Sequence, residues 1–474
     1  MEKMNYKELG FKAGIEIHQQ IEGHKLFCSC PGITNKDSPP DFTFRRCLRA
    51  VAGELEEVDI AAEHEVKKTR EFIYEGYHDC VCLVECDCEP PHDVNKEALQ
   101  AALQIAKFLN AKIVDEIQFM RKTVVDGSNV CGFQRTALIA RNGYLETSKG
   151  KVSIPTICLE EEAAKRIKED GNSATFRLDR LGIPLIEIGT GPDIIDAEHA
   201  KETAEKIGMI LRSTGKVKRG LGTIRQDVNV SIKGHPRVEI KGFQDLKSIP
   251  KVVNYEIERQ LKEIKSGRKL EPHVRKAEAD GITSFLRPMP GAARMYPETD
   301  VVPIKPGEVI VEKVELIGDR VNALKKYGIE EGVAKAFVRE GKDSVLLDYF
   351  KKYPNVKPAF ITQTLNTAVM QVKKEFNVDI SPADADFEVL FKELNDGKIA
   401  KDSVLLILKE NKPVKDVISK FELMPDADLE KELKKVIAEN KGMQFNALIG
   451  KAMAKLKGKA DGRKIVEMLQ KLAK

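Results

Sequence analysis

The stretch "IRQDVNVSI" (residues 224–232) decides how the first part of this chain folds. Polar and apolar residues alternate along it, and a period of two predicts a β-strand with one face on a core. Its polar members are Arg225, Asp227, Asn229 and Ser231. Asp and Asn are depleted in strands because they compete for backbone hydrogen bonds, so their presence in mid-strand needs a reason. The polar face is therefore either a ligand-binding surface or an ordinary solvated face.

Two other stretches carry the same alternation, "GIEIHQ" (residues 14–19) and "RVEIK" (residues 237–241). Their polar members are Glu16, His18, Arg237, Glu239 and Lys241. The three stretches together predict a sheet with one apolar face on a core and one face of carboxylates, a His, amides and cations. Clustered carboxylates on a rigid sheet suit Mg²⁺, which prefers oxygen ligands and usually shares its shell with phosphate.

The rest of the first 300 or so residues predicts an α+β fold. Strand-like stretches outnumber the helices that could cross between them, which favours a mostly antiparallel sheet over a doubly wound one. The predicted strands are 13–19, 116–122, 136–140, 183–188, 224–232 and 238–241. The predicted helices are 95–109, 197–211 and 254–264, the last ending near Gly267.

The chain changes character after a Pro/Gly-rich segment, "RPMPGAARMYPETDVVPIKPGE" (residues 287–308). From Val309 onward the pattern is helical, and Ser381-Pro382 marks a further helix start. We therefore predict three domains: an α+β domain over 1–308, a helical domain over 309–379, and a helical tail domain over 380–474.

Composition narrows the class of protein. The chain has 474 residues, of which 42% are hydrophobic and 32% charged, so several globular domains are expected. No run approaches the roughly 18 apolar residues of a membrane span, and the polar start "MEKMNYKELG" lacks a signal-peptide core. We expect a cytoplasmic protein with no membrane segment. The net charge of +4 does not by itself demand nucleic acid, although local basic patches could bind it.

Six of the nine cysteines fall in two clusters, "CSC" (residues 28–30) and "CVCLVECDC" (residues 80–88). Zn²⁺ takes four tetrahedral ligands, and two Cys-x-Cys pairs could supply them. The alternative is a set of reduced thiols without metal, which is equally compatible with a reducing compartment.

A basic, glycine-containing run, "RSTGKVKRGLGTIR" (residues 212–225), leads into the polar strand. Its backbone N–H groups and cations, including Lys218 and Arg219, could hold phosphates. It lacks the spacing of a P-loop, so an ordinary basic turn is the alternative.

Several motifs taken together resemble the B/E subunit family of glutamyl-tRNA(Gln) amidotransferases. They are "GIEIH", "DGSNVCGFQRT", "LEEEAAK", "LDRLGIPLIEI", "TGKVKRGLGTIRQDVNVSI" and "RVEIKGFQDL", in that order along the chain. The resemblance extends into "FNALIGKAMAKLKGKADGRKI" (residues 445–465), which is similar to the family's C-terminal, YqeY-like tRNA-binding segment. "YEGYHDCVCLVECDCEPPH" and "RPMPGAARMYPETD" resemble the archaeal E-type branch.

The resemblance implies an ATP- and Mg²⁺-dependent enzyme that phosphorylates the γ-carboxylate of Glu on mischarged tRNA(Gln). Ammonia then displaces the phosphate to give Gln-tRNA(Gln). By resemblance, the metal and catalytic positions are Glu16, His18, Glu161, Asp227 and Glu239. Further candidates for contacts with ATP or phosphate are Arg225, Asn229, Lys241, Glu187, Lys218 and Arg219. The zinc-ligand positions are Cys28, Cys30, Cys80 and Cys82.

The resemblance also implies partners. The chain has no amidase or glutaminase signature, so ammonia is expected from an asparaginase-like D-type partner (GatD) in a heterotetramer of two D-type and two E-type chains. E-type chains normally carry an insertion resembling a domain of bacterial aspartyl-tRNA synthetases. Here only residues 265–285 occupy that place, too few to fold as a domain.

Three alternatives remain open. The chain could be a B-type subunit that works with an A-type amidase, which the missing insertion favours. It could be a non-catalytic tRNA-binding scaffold, although acids at all four carboxylate positions weigh against this. An unrelated ATP-grasp ligase would need a different glycine-rich loop, which the sequence lacks.

Overall fold

The computed structural model describes most of the chain. The described residues are 4–33, 37–50, 52, 58, 60–66, 71–243, 245–267, 269–289, 295–309, 315–440, 443–456, 459–460 and 462–472. Parts of two predicted features, 290–294 in the Pro/Gly-rich segment and 310–314 near the first predicted boundary, lie outside them. The chain divides into two compact units, Met1–Ile317 and Gly318–Lys474.

The first unit contains the described strands and four helices. The strands are β1 (Lys12–Gln20), β2 (Phe42–Arg46), β3 (Glu71–Gly76), β4 (Lys112–Ile113), β5 (Phe119–Thr123), β6 (Phe133–Thr147), β7 (Gly150–Glu161), β8 (Lys165–Asp170), β9 (Ser173–Arg177), β10 (Pro184–Gly189), β11 (Ile224–Ser231), β12 (Val238–Phe243), β13 (His273–Ala277), β14 (Thr283–Pro288) and β15 (Met295–Pro297). The helices are α1 (Ile60–Val66), α2 (Lys96–Phe108), α3 (Ala197–Ser213) and α4 (Ile249–Lys265), with a 3₁₀ turn at Pro306–Glu308.

The strands form two sheets. The main sheet has the order β14-β13-β12-β11-β1-β10-β7-β6-β5-β15, and β4 pairs with β6. The second sheet has the order β2-β3-β9-β8. Neighbours are antiparallel except β12 with β13 and β3 with β9. The predicted α+β class with a mostly antiparallel sheet is therefore confirmed.

The apolar face of the main sheet builds the core of the first unit. Ile15 and Ile17 of β1 and Val228 of β11 are almost fully buried there. Helices α2, α3 and α4 cover this face, so the opposite face is left for ligands. The alternation in the sequence required this outcome, because side chains two apart along a strand must point the same way.

The three predicted helices are present, and local interactions explain their ends. The Asn95 side chain accepts a hydrogen bond from the Ala98 N–H at the start of α2, and Asp196 does the same for His199 at the start of α3. After α4, Gly267 adopts a positive φ of 65°, which suits the residue just beyond a helix C-terminus.

From Ile317 onward the described elements are helical. The helices are α5 (Ile317–Lys325), α6 (Glu331–Arg339), α7 (Asp343–Lys352), α8 (Pro358–Phe376), α9 (Asp384–Asn395), α10 (Val404–Leu408), α11 (Val414–Val417), α12 (Asp426–Glu439), α13 (Phe445–Lys455) and α14 (Gly462–Leu472), with 3₁₀ turns at Lys401–Ser403 and Ile418–Phe421. Helix α9 begins two residues after the predicted Ser381-Pro382 start. Within the described ranges, no helix combines the length and hydropathy that a bilayer crossing requires.

Packing within the second unit does not break at residue 380, where the sequence predicts a boundary. Phe391 of α9 packs on Tyr349 of α7 and on Tyr353, with ring centroids 5.5 and 6.1 Å apart, respectively. Helices α12, α13 and α14 instead share a separate apolar core around Leu433 and Leu469. The domain division at residue 380 remains a prediction.

Candidate active site

The polar face of the main sheet forms the floor of a cavity of about 810 Å³. Strand register brings the predicted side chains together, because Glu16 of β1 lies opposite Asp227 of β11, and His18 lies between Arg225 and Glu187 of β10. Directly opposed residues of antiparallel strands share a face. The charged and imidazole groups that line the cavity are Glu16, His18, Lys122, Glu160, Glu162, Glu187, Arg225, Asp227, Arg237, Glu239, Lys241 and Arg287.

The closest cluster in the cavity surrounds His18. Its Nε2 lies 3.4 Å from Oε1 of Glu16, 3.4 Å from Oε2 of Glu187 and 3.9 Å from Oε1 of Glu160. One ligand atom from each of Glu16, His18 and Glu187 fits within a 4.8 Å group, which is close enough to hold one metal ion. Two carboxylates and an imidazole fit a divalent cation that keeps several waters or phosphate oxygens.

Electrostatics in this cluster favour a cation. Burial and the neighbouring Glu187 raise the pKa of Glu16 to about 6. Burial alone would lower the pKa of His18, but the hydrogen bond and charge of Glu187, with Glu160 and Glu16, raise it to about 9. Burial opposes ionisation of Glu187 too, yet Lys122 and His18 hold its pKa well below the usual range. Positive charge among these acids is therefore stabilised.

A second cluster lies beside the first on β11 and β12. Lys241 Nζ is 2.6 Å from Oδ2 of Asp227 and 2.5 Å from Oε1 of Glu239. Burial disfavours the lysine charge, but these two carboxylates outweigh it and raise the pKa of Lys241 well above its usual range. The structure thus brings Glu16, His18, Asp227, Glu239, Glu187 and Lys241 to one cavity, as the sequence predicts.

Two ion pairs complete the floor. Arg225 holds Glu162 through two hydrogen bonds, of 2.6 and 3.0 Å. Lys122 Nζ donates to Glu160 Oε2 at 2.6 Å, and the Thr136 hydroxyl donates to the same oxygen at 3.1 Å. The cavity is therefore lined by paired charges on a rigid sheet, an arrangement that can accept phosphate groups and a metal together.

Glu161 does not line the cavity, so the expectation that it joins the other acids there is wrong. It lies on the opposite face of β7, where the Arg135 backbone N–H donates to its Oε2 at 3.1 Å and the Arg135 guanidinium lies 3.5 Å away. Glu161 has the same parity along the strand as Ile157 and Leu159, which are fully buried. Glu160 and Glu162, its sequence neighbours, line the cavity instead.

Three other predicted residues also lie outside the cavity lining. Lys218 donates a hydrogen bond to the backbone carbonyl of Gly32. Arg219 is exposed on the loop before β11. Asn229 lies in register with Glu239 but is not among the residues that line the cavity.

The sequence reasoning missed five charged residues of the lining as ligand-site candidates: Lys122, Glu160, Glu162, Arg237 and Arg287. Strand parity could have found some of them. In "TICLEEE" the buried Ile157 and Leu159 assign Glu161 to the core side and its two neighbours to the polar side. Arg237 begins the "RVEIK" alternation, whereas Lys122 and Arg287 lie on strands whose order in the sheet only the structure gives.

The cysteines form a separate group that differs from the predicted set. One ligand atom from each of Cys28, Cys30, Cys82 and Glu85 fits within 4.8 Å. The Cys28 thiol donates to Oε1 of Glu85 at 2.9 Å, and the Cys82 backbone N–H donates to its Oε2 at 2.8 Å. Cys80, predicted as the fourth ligand, is instead buried in the core of the second sheet.

Cys80 and Cys82 pack in different cores. The N–H groups of Cys80 and Val81 both donate to the Tyr77 carbonyl, and at this turn Cys80 enters the core of the second sheet, whereas Cys82 packs against the core of the main sheet. Burial and Glu85 raise the pKa of Cys28 well above its usual range, and the same two causes raise the pKa of Cys82 to about 11. A bound metal would offset both effects, because thiolates are its ligands.

The fold and site define a class: an α+β protein with a carboxylate-rich cavity on an open sheet and a helical C-terminal part. A family model described as the GatB/GatE catalytic domain matches residues 11–312, and one described as a GatB domain matches residues 348–472. The chain belongs to the GatB/GatE family.

Its curated relatives include archaeal proteins named as the E subunit of glutamyl-tRNA(Gln) amidotransferase. The one from Methanocaldococcus jannaschii is 36% identical, with 100% of each chain covered. Those from Saccharolobus solfataricus and Archaeoglobus fulgidus are 35% and 36% identical, with 99% of each chain covered.

These relatives are longer than this chain. The alignment with the Methanocaldococcus jannaschii protein spans 629 positions, whereas this chain has 474 residues, so at least 155 positions have no counterpart here. Such a difference agrees with the predicted absence of an inserted domain. The predicted place, residues 265–285, holds the last residue of α4, all of β13 and the beginning of β14.

Proposed function

We propose that this chain is the E-type component of a tRNA-dependent amidotransferase that converts Glu-tRNA(Gln) to Gln-tRNA(Gln). The observation that carries the proposal is the single cavity that collects Glu16, His18, Glu187, Asp227 and Glu239 with basic side chains on one sheet face. The names of relatives that align over their whole length support the same reaction. The same names favour an E-type over a B-type subunit.

The reaction has two steps. A γ-carboxylate oxygen of the glutamyl group attacks the γ-phosphorus of ATP, and ADP leaves with the electrons of the broken P–O bond. Ammonia then attacks the γ-carbon of the acyl phosphate, the bond from carbon to the phosphate oxygen breaks, and inorganic phosphate leaves. The attacking nitrogen loses a proton to solvent or to a base, and the product is the γ-amide.

Mg²⁺ would lie among Glu16, His18 and Glu187 and would neutralise charge on the transferring phosphate. Two of the cavity's cations are paired with acids: Lys122 holds Glu160 and Arg225 holds Glu162. Both cations can turn toward phosphate oxygens when substrate enters. Asp227 and Glu239 keep Lys241 charged and in place at the edge of the same floor. Glu160 replaces Glu161 at the metal and catalytic position that the family resemblance implies.

The cysteine group suits zinc, with Cys28, Cys30, Cys82 and Glu85 as ligands. Three thiols and a carboxylate within bonding reach of one point form a suitable tetrahedral donor set. Zinc content of the purified protein tests this assignment. Cys28→Ser should lose the metal and Cys80→Ala should keep it; equal loss in both variants would contradict the assignment.

We propose as partners an asparaginase-like, ammonia-supplying D-type protein (GatD), in a heterotetramer of two D-type and two E-type chains, and tRNA(Gln) charged with Glu. Residues 380–474 supply a tRNA-binding surface through α13 and α14, the described helices in this segment that carry clearly more Lys and Arg than Asp and Glu. We also propose a cytoplasmic location, because the proposed reaction serves translation.

An assay of Gln-tRNA(Gln) formation tests the proposed function. In one arm, Glu-tRNA(Gln), ATP, Mg²⁺ and ammonium chloride are supplied with the full chain alone. In the other arm, asparagine replaces ammonium chloride, with and without an asparaginase-like partner. Product in the ammonium arm supports the function, and product from asparagine only when the partner is present supports the partner assignment. Absence of product in every arm would refute the function.

A further inference from the structure

A short loop at the rim of the cavity carries an unusual leucine. Leu221 belongs to the lining of the cavity, yet its side chain is 99% exposed. It lies between Gly220 and Gly222, whose φ angles are +120° and +80°. Glycine adopts such angles freely, whereas other residues are strained there, so both flanks of Leu221 can rotate without steric cost.

The base of this loop is firmly held, in contrast to its tip. The buried Gln19 side chain donates to the carbonyls of Lys218 and Thr223, at 3.0 and 3.1 Å. The Thr223 hydroxyl donates to the Gly220 carbonyl at 2.9 Å. In the described part of the chain, none of the hydrogen bonds that secure the loop reaches Leu221 or Gly222. The tip is therefore a short flap on a rigid base.

The cavity offers the flap an apolar surface to cover. Val124, Ile224 and Met289 line it and are partly exposed, although the floor beneath them is charged. If Leu221 closed over the cavity, the side chains of Leu221 and of these three residues would be shielded from water. Such burial is favourable for apolar groups. The charged floor would then be separated from solvent.

We propose that Leu221 and Gly222, on the hinge at Gly220, form a flap and that Leu221 selects ammonia over water as the acceptor of the glutamyl group. The inference rests on the proposed function, because it concerns the acyl phosphate formed there. Water that attacks the γ-carbon breaks the same bond as ammonia, releases phosphate and returns Glu-tRNA, so one ATP is lost without product. A closed flap excludes bulk water from that intermediate.

The test measures ATP consumed per Gln-tRNA formed, at limiting ammonium, in the full chain. An apolar contact is worth roughly tenfold or more in discrimination, so Leu221→Ala should raise this ratio about tenfold. Leu221→Met keeps the apolar reach and should restore the wild-type ratio. Ile167→Ala is the matched control, because Ile167 is 45% exposed on β8, outside the cavity.

The possible outcomes distinguish failure of the flap proposal from failure of the proposed function. If the wild type forms Gln-tRNA and Leu221→Ala has the same ATP-to-product ratio, the flap proposal is overturned and the function stands. An increase in KM for Glu-tRNA at an unchanged ratio also overturns it, because Leu221 then only contacts tRNA. If the wild type forms no Gln-tRNA under any condition, the proposed function itself fails.

Discussion

At the scale of single residues, three consecutive glutamates on and just after β7 have different surroundings. Glu160 and Glu162 face the cavity, where Lys122 and Arg225 hold them, whereas Glu161 faces the other side and is held by Arg135. One step along a strand turns a side chain to the opposite face. Strand parity therefore decides which of these carboxylates faces the cavity, and a family motif alone does not.

A matched pair of substitutions tests this assignment. Glu160→Gln should lower kcat for amidation about a hundredfold, because misplacement of a group at the reacting centre has effects of that size. Glu161→Gln should leave the activity of the folded protein nearly unchanged and should lower the free energy of unfolding by about 1–3 kcal/mol, because it weakens the contacts with Arg135, which keeps Glu298 as a charged partner. Steady-state rates and denaturant unfolding of both variants are the measurements.

The reverse pattern would contradict the geometry. If Glu161→Gln abolished activity at a temperature where it is fully folded, Glu161 would belong to the reacting centre. Unchanged activity of Glu160→Gln would remove that residue from the proposed site.

The cysteine group shows that the spacing of cysteines does not identify every ligand of a site. Two Cys-x-Cys pairs predicted four sulfur ligands, but Cys80 lies in the core of the second sheet, and Glu85 accepts a hydrogen bond from the Cys28 thiol in its place. Spacing alone does not reveal the direction of a side chain in a turn. The three other thiols, Cys28, Cys30 and Cys82, are brought together as predicted.

At the scale of elements, alternating strands were predictable and irregular ones were not. β1, β11 and β12 follow the period of two with apolar residues on one face. β7 contains Pro155, which removes a backbone donor, and β8 is rich in exposed charges that occur rarely in strands. No strand of the second sheet was predicted, because β8 is rich in exposed charges and β3 pairs with β9, a strand far along the chain.

The edge strand β15 depends on one buried carboxylate. It has three residues and pairs only with β5 among the described strands. Glu298, directly after it, accepts hydrogen bonds from Arg121 at 2.9 and 2.8 Å and from Arg135 at 3.0 Å. Its side chain is 0% exposed, and the two arginines overcome burial to lower its pKa. These contacts hold β15 on the sheet.

Removal of the Glu298 carboxylate should destabilise the first unit, and the size of the effect should depend on pH. Glu298→Gln should cost about 1–3 kcal/mol in the free energy of unfolding at neutral pH, since it weakens charged hydrogen bonds from Arg121 and Arg135, which keep Asp300 and Glu161 as charged partners. The folded-state pKa is depressed, so the stabilisation is present above the unfolded-state pKa and is lost as pH falls through the folded-state pKa. The difference between wild type and variant should therefore shrink below about pH 4.

Denaturant unfolding over a pH series measures this difference. Glu271→Gln is a suitable control, because Glu271 makes an exposed pair with Lys269, and its stability should differ little from wild type. A Glu298→Gln effect that stayed constant from neutral to acidic pH would show that the loss is not electrostatic.

At the scale of the whole molecule, the two compact units have separate tasks in this account. The first unit contains the cavity, and the second contains the helices proposed to bind tRNA. The sequence predicted a change to helical structure after about residue 308, because the strand alternation stops there. The packing of α9 on α7 could not be predicted, because it depends on aromatic contacts between helices that share no local pattern.

Two truncations test the organisation of the second unit. A chain that ends at residue 424 loses only α12, α13 and α14, which have their own core, and should stay folded. Its affinity for tRNA should fall roughly a hundredfold, as expected for several lost phosphate contacts, with little change in ATP binding. A chain that ends at residue 379 also loses Phe391 and should lower the thermal stability of the remaining helices. Filter binding at several salt concentrations and calorimetry are the measurements.

Unchanged tRNA affinity in the chain that ends at residue 424 would place the tRNA contact elsewhere. Equal thermal stability of the two truncated chains would indicate that the predicted boundary at residue 380 is a real break in packing.

The activity proposed for the carboxylate-rich cavity is transfer of phosphate from ATP to the glutamyl group. Its most direct test is single-turnover formation of γ-phosphoryl-Glu-tRNA from Glu-tRNA(Gln), ATP labelled at the γ-phosphate, and Mg²⁺, without ammonia. The wild type should form the labelled acyl phosphate. Glu16→Gln should form it at least about a hundredfold more slowly while binding tRNA normally, because a charged group at the site of phosphoryl transfer is lost. Formation at the wild-type rate in Glu16→Gln, or no labelled acyl phosphate with the wild type, would contradict the account.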